Sequence, residues 1–96
     1  MIRKIKYKNK IIKVIFKRIS DYAVYSPQNL TLTIRKGLSN QYLARTLFHE
    51  LFHIITDLND FNVSKHGEER VASLMEEYYY ILKQNKNLKN LIISCF

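Results

Sequence analysis

The sequence predicts an α+β protein, in which a small antiparallel sheet of three or so strands is followed by a pair of helices. Two patterns predict this class. Apolar residues recur at every second position through the first third of the chain, and at spacings of three and four from Tyr42 onward. The chain has 96 residues, of which 47% are hydrophobic. This is enough for one core, so residues 1–96 are predicted to form a single domain.

The predicted strands are a hairpin and one further segment. Apolar residues alternate with lysines on both sides of the polar pair Asn9-Lys10, which is typical of a β-hairpin. After a turn signal at residues 26–29, "LTLTIR" (residues 30–35) predicts a β-branched strand in the same antiparallel sheet. The residues expected to face the core are Ile5, Tyr7, Ile12, Val14, Phe16, Leu30, Leu32 and Ile34.

Two helices are predicted after Gly37. Ser39 is a predicted N-cap for the first, and a polar loop over residues 59–67 separates it from the second, which is expected to begin near Gly67. The tail, residues 86–96, fits a short third helix or a strand. The expected buried stripes are Leu43, Leu47, Leu51, Ile54, Ile55 and Leu58 in the first helix, and Val71, Leu74, Met75, Tyr78 and Leu82 in the second.

The chain is strongly basic, with a net charge of +8 from 16 basic and 8 acidic residues. Such an excess attracts nucleic acid or an anionic surface. Many of the lysines, however, occupy alternate strand positions, where a solvated outer face is the simpler interpretation. The five arginines form no cluster. Nucleic acid is therefore a secondary expectation for the partner of this chain.

Cysteine content and hydropathy favour a cytoplasmic protein. Cys95 is the only cysteine, so no intrachain disulfide is expected, as in a reducing compartment. Lys13 interrupts the apolar run near the N-terminus, and no apolar stretch approaches the 18 residues or so of a membrane span. We therefore expect no association with a membrane.

The first predicted helix contains the pattern H-E-x-x-H, as His49-Glu50-Leu51-Phe52-His53. Residues four apart share a face of a helix, so the two imidazoles can reach one Zn²⁺ at about 2.0–2.1 Å. Glu50 flanks that position without being a ligand, and it can take a proton from a water that zinc has acidified. Chance would produce this pattern in on the order of five in a thousand shuffled chains. The sequence therefore predicts a zinc site with Glu50 as general base.

A catalytic zinc site needs a third protein ligand. Downstream candidates are Asp57, Asp60, His66, Glu68 and Glu69. Asp57 suits a supporting hydrogen bond as well as ligation, and a glutamate in the first turn of a helix also complements the helix dipole.

Residues 22–92 resemble the small phage-type zinc peptidase-like proteins related to the ImmA/IrrE metallopeptidases and minimal gluzincins. The similarity lies in the strand "LTLTIR", in Thr46-Leu47-Phe48-His49-Glu50-Leu51-Phe52-His53, and in Glu68-Glu69-Arg70-Val71 at the start of the next helix. It implies a minimal zincin-like fold, His49 and His53 as zinc ligands, Glu50 as general base, and a helical glutamate as third ligand. Unlike related regulators, this chain contains no helix-turn-helix segment.

The periodicity of the second helix favours Glu68 as the third ligand. Stepping back three positions from Val71, or seven from Met75, leads to residue 68 on the expected buried face, whereas Glu69 falls on a less apolar edge. A donor for the oxyanion is harder to assign. The run Tyr78-Tyr79-Tyr80 is a candidate, but such a run more often belongs to a core and its rim.

The sequence thus predicts a zinc metallopeptidase of gluzincin type in the cytoplasm, or in the host cytoplasm for a phage protein, acting on a protein or peptide. An extended substrate is expected to add to the edge of "LTLTIR". Two other hypotheses are a catalytically silent zinc-binding module, with structural or regulatory function, and a basic nucleic-acid-binding protein. Cleavage assays separate the first from the prediction, and salt-dependent binding that is indifferent to chelator identifies the second.

Overall fold

The computed structural model describes residues 2–59 and 68–95, and for residues 68–70 it describes the backbone alone. Within these ranges the chain forms four strands followed by three helices, so the predicted α+β class is confirmed. The elements are β1 (Lys4–Tyr7), β2 (Lys10–Lys17), β3 (Ala23–Ser26), β4 (Thr31–Arg35), α1 (Asn40–Asn59), α2 (Glu68–Gln84) and α3 (Lys86–Cys95).

The four strands form one sheet in the order β1-β2-β4-β3. The outer pairs are antiparallel, with Ile5 opposite Ile12 and Tyr25 opposite Leu32, whereas β2 and β4 are parallel, with Val14 opposite Leu32. The sheet is therefore mixed, and the prediction of an antiparallel sheet is wrong. The reason is β3, which reverses the chain between β2 and β4 so that β4 runs in the direction of β2 again.

The predicted hairpin between β1 and β2 is confirmed, with its turn one residue earlier than expected. Lys8 and Asn9 have φ angles of 48° and 60°. Two central residues with positive φ are characteristic of the two-residue turns whose twist matches that of the flanking strands. The turn puts Tyr7 opposite Lys10 and fixes the register that directs Ile5 and Ile12 to the same face.

The helices cover one face of the sheet, and the core lies between them. The predicted inward positions of the sheet are buried except for Phe16 and Leu30, which are half-buried because they lie at a strand end and in a turn. The buried apolar residues are Ile5, Tyr7, Ile12, Val14, Leu32 and Ile34 from the sheet, Ala44, Leu47, Leu51, Ile54 and Ile55 from α1, Leu74 and Ile81 from α2, and Leu88 and Ile92 from α3.

Helix α2 presents only part of the predicted stripe to the core, since Leu74 is buried as predicted and Tyr78 and Leu82 are half-buried. Val71 and Met75 are exposed, with 44% and 66% of their surface accessible, whereas Leu74 and Ile81 are buried and Tyr78 is half-buried. Apolar residues occur around much of this helix, so the sequence pattern fits a buried stripe through Val71 and Met75 as well as one through Leu74 and Ile81. Packing of α2 against α1 and α3 selects the stripe through Leu74 and Ile81.

The tail forms a helix, α3, which packs against α1 through Leu88 and Ile92. Asn85 precedes it and also covers part of the β1 edge. Its side-chain amide donates to the carbonyl oxygen of Lys6, and its Oδ1 accepts from the Lys6 amide, both at 2.8 Å. The β1 edge is therefore partly closed by a side chain that imitates a strand partner.

A polar network connects the hairpin to the end of α1 and to α2. The Tyr7 hydroxyl donates to Oε1 of Glu77, and the Asn59 amide donates to the Tyr7 hydroxyl at 2.6 Å. Lys8 donates to Oδ1 of Asn59. Burial, and then the hydrogen bond to Glu77, raise the pKa of Tyr7 well above its usual range, so the phenol stays protonated as the donor in this network.

Across the described residues, no helix is both long and apolar enough to cross a membrane.

Candidate metal centre

The H-E-x-x-H motif lies in the middle of α1. The helix begins where predicted, because the Ser39 hydroxyl accepts a hydrogen bond from the Tyr42 amide at 3.4 Å and the Ser39 carbonyl accepts from the Leu43 amide at 2.8 Å. Leu51 and Ile54 are buried, so they anchor this stretch of the helix in the core. The imidazoles of the motif face outward from that anchored segment.

The two motif histidines converge on one point. Nε2 of His49 lies 3.3 Å from Nε2 of His53, and the ring centroids are 5.1 Å apart. Two nitrogens at about 2.0–2.1 Å from a tetrahedral zinc are themselves about 3.3–3.4 Å apart. The same distance also allows one imidazole to donate a hydrogen bond to the other. Both side chains are exposed, so burial does not force them to satisfy each other.

Glu50 is the buried member of the motif, with 7% of its surface exposed. Its Oε2 atom is buried, and no described residue donates a hydrogen bond to it. A buried carboxylate oxygen that accepts no hydrogen bond lowers the stability of the fold by about 1–3 kcal/mol or more, so proteins seldom leave one without a partner. A water or ligand held beside the two histidines would satisfy this atom, and this supports the fit of the motif to a metal centre.

Two shallow clefts meet at Glu50, which lines both together with Ala23 of β3. The cleft on the His49 side has a volume of about 400 Å³ and contains Arg45. The cleft on the His53 side has a volume of about 360 Å³ and contains Asp57. The general-base candidate therefore lies between two neighbouring clefts that α1 and β3 line.

The strand beside these clefts lies at the edge of the sheet. Among residues 2–59 and 68–95, β3 pairs with β4 alone, whereas β4 lies between β2 and β3. The expectation that a substrate adds to the edge of "LTLTIR" is therefore wrong, because both sides of that strand are already hydrogen-bonded within the sheet. The edge available beside the motif belongs to residues 23–26.

Tyr25 is a candidate site residue that the sequence pattern did not reveal. Its hydroxyl donates to Oδ2 of Asp57 at 2.9 Å, which connects β3 to α1 one turn after His53. Burial, and then the bond to Asp57, raise the pKa of Tyr25 well above its usual range. The only sequence signal was the short alternation in "AVYS", where Ala23 and Tyr25 share a face.

The tyrosines considered as oxyanion donors make contacts away from the two clefts, or are exposed. The Tyr78 hydroxyl donates to the backbone carbonyl of Phe48 at 3.0 Å, and its ring lies 4.8 Å from the Phe48 ring. Tyr79 and Tyr80 are exposed, and Tyr80 contacts the edge of Tyr7. The tyrosine run therefore supports helix packing, with Tyr78 holding α2 against the motif helix.

The predicted third ligand, Glu68, begins α2, but its side chain and that of Glu69 lie outside the described residues, as do Asp60 and His66 entirely. Asp57 is engaged with Tyr25. Within residues 2–59 and 71–95 no cluster of three or more His, Cys, Asp or Glu side chains has the arrangement of a metal site. The helical argument for Glu68 relied on Val71 and Met75 facing the core, and that premise is wrong.

Comparison with protein-family models, curated protein sequences and solved structures finds no match to this chain.

Proposed function

We propose that this chain is a minimal zinc-dependent metallopeptidase of gluzincin type, with a zincin-like arrangement of sheet and motif helix. The observation that carries the proposal is the 3.3 Å separation of the His49 and His53 Nε2 atoms, which equals the bite of a tetrahedral ion. The buried Oε2 of Glu50, without a described donor, is the second support.

His49 and His53 would hold the metal, with Glu68 as the proposed third ligand. Zinc, when bound, would supply Lewis-acid chemistry that acidifies water and polarises a carbonyl oxygen. The motif histidines project from a segment of α1 that Leu51 and Ile54 fix in the core, so little reorganisation is needed to present both nitrogens.

Glu50 would perform the proton transfers. Its carboxylate would accept a proton from the attacking water and return it to the amine that leaves when the peptide bond breaks. Glu50 lies where the two clefts meet, so a chain that occupies both would place a backbone carbonyl next to this carboxylate. Its burial also limits competing contacts with bulk solvent.

The proposed substrate is an extended peptide that lies along β3. No described residue pairs with the outer edge of this strand, and Ala23 lines both clefts. Main-chain hydrogen bonds at a sheet edge provide affinity for a peptide of any sequence, and such binding needs only the small surface that this domain offers. Tyr25, fixed by Asp57, would keep the strand at a set distance from the motif helix.

The test is cleavage of an unfolded protein such as casein by zinc-loaded protein. Glu50→Gln should bind zinc like the wild type and lose at least a hundredfold in rate, because it removes the base without removing a ligand. Glu76→Gln, an exposed glutamate on α2, is the matched control and should cleave at the wild-type rate. Zinc binding with no cleavage by the wild type would instead identify a catalytically silent zinc module.

A further inference from the structure

The outer face of the sheet, opposite the helices, carries an unbalanced cluster of positive charge. Alternation along the strands directs one set of side chains away from the core, and these side chains are exposed or half-buried. The cationic members of this basic sheet face are Lys4, Lys6, Lys13, Lys17 and Arg35.

No acidic residue offsets these cations within the sheet. The four strands contain no Asp or Glu, because all eight acidic residues of the chain lie between residues 21 and 77 and outside the strand bounds. The one ion pair among the described residues joins Lys8 to Glu77 on the helical side. Five of the 16 basic residues of the chain therefore lie on a face whose strands carry no acidic residue.

The register places like charges directly opposite each other. Lys4 is the cross-strand partner of Lys13, and Lys17 is the partner of Arg35. Opposite charges at such positions stabilise a sheet, and like charges destabilise it. Arg35 also lies over the Tyr22 ring, at 5.6 Å from its centroid, whereas the four lysines have no side-chain partner among the described residues. The arrangement lowers stability, which favours an external anion as the partner of these lysines.

We infer that the basic sheet face binds the phosphate backbone of a nucleic acid without reading its sequence. Same-face residues recur about every 6.7 Å along a strand and about 4.8 Å across strands, so cations on three neighbouring strands can contact several phosphates of one backbone. Backbone contacts of this kind carry affinity and not base specificity.

Several features of the face favour a nucleic acid over a membrane. Its apolar members, Ile11, Ile15 and Val24, are short aliphatic side chains, and of these Ile15 lies between Lys13 and Lys17 on β2. Interfacial membrane binding instead relies on an amphipathic helix with long apolar or aromatic side chains that enter the lipid. Aliphatic surface of this size would touch bases only weakly, so the interaction depends on phosphate charge.

The test uses labelled single-stranded and duplex DNA of about 20 nucleotides or base pairs, a length that covers a site of typical size. If four or five phosphates are contacted, the wild-type affinity should fall roughly 150- to 500-fold for duplex DNA, and roughly 50- to 130-fold for single-stranded DNA, between about 50 and 200 mM salt. Lys13→Gln/Lys17→Gln should lower the slope of log affinity against log salt by between about one and two. Lys83→Gln/Lys89→Gln, exposed on the helices, removes the same charge and should leave the slope near wild type.

A second readout separates binding from folding. Because Lys13 lies opposite Lys4, Lys13→Gln should match or exceed the wild-type melting temperature while it binds DNA more weakly. Equal losses in the sheet and helix variants would show that the effect is only diffuse charge and overturn the assignment. Absence of DNA binding at low salt, or tighter binding to phosphatidylserine vesicles than to DNA, would also overturn it.

Discussion

Nε2 of His49 lies 3.3 Å from Nε2 of His53, on the solvent side of a helix whose opposite side is buried. Both imidazoles are exposed, so water can hydrogen-bond to each of them and neither requires the other as a partner. The helix backbone sets the four-residue spacing, and the buried residues beneath it hold the helix against the sheet. The pair is therefore arranged before any ligand binds, which reduces the entropy lost on coordination.

Asp57 should contribute little to metal affinity, because its Oδ2 accepts a hydrogen bond from Tyr25. Asp57→Asn is expected to change zinc affinity less than about tenfold, below the range typical of supporting groups that hydrogen-bond a ligand directly. Competition with a chromophoric chelator measures this, with His53→Ala as the reference for ligand loss. A loss as large as that of His53→Ala would make Asp57 a ligand.

Glu68 is the proposed third ligand because the family resemblance places a glutamate at the start of α2, while the exposed Val71 and Met75 leave the choice between Glu68 and Glu69 to experiment. Glu68→Ala should weaken zinc binding by orders of magnitude, because a site with two protein ligands holds zinc poorly. Glu69→Ala provides the control, since it removes the same charge from the same helical turn and should bind zinc like the wild type. The reverse order of affinities would transfer the role to Glu69.

Tyr78 should make stability depend on alkaline pH. Burial raises the pKa of Tyr78 to about 12, compared with about 10 in the unfolded chain. The protonated phenol is favoured in the folded state, so its contribution is complete below pH 10 or so and is lost as pH rises through about 12. At neutral pH, Tyr78→Phe should lower the free energy of unfolding by about 1 kcal/mol, because it removes the donor to the Phe48 carbonyl.

The measurement is chemical denaturation of the wild type and Tyr78→Phe at several pH values. The difference between their unfolding free energies should shrink as pH passes from 10 to 12. Tyr79→Phe, at a side chain that is 72% exposed, should show almost no difference from the wild type at neutral pH. A difference for Tyr78→Phe that stays constant to the highest pH would contradict this role.

Elements governed by local chemistry could be predicted from the sequence. The hairpin follows from the alternation around Asn9, and α1 follows from its apolar spacing and from Ser39 as N-cap. The convergence of His49 and His53 follows from the helix alone, because the four-residue spacing sets the distance between their side chains. These features need no knowledge of the tertiary fold.

Features that depend on long-range packing could not be predicted in the same way. β3 has four residues and weak alternation, so its insertion at the edge of the sheet, and the resulting parallel pair, were missed. The buried face of α2 is selected by α1 and α3, and the sequence alone favoured Val71 and Met75. Tyr25 reaches Asp57 across 32 positions of sequence, a contact that no local pattern predicts.

Zinc content of the purified protein tests the central claim most directly. After incubation with zinc and removal of excess metal, the wild type should contain about one zinc per chain by elemental mass spectrometry. The variant His49→Ala/His53→Ala should contain almost none while keeping the wild-type circular dichroism spectrum, because both side chains are exposed. A wild type without zinc, or a double variant that retains one zinc per chain, would contradict the proposed metal centre.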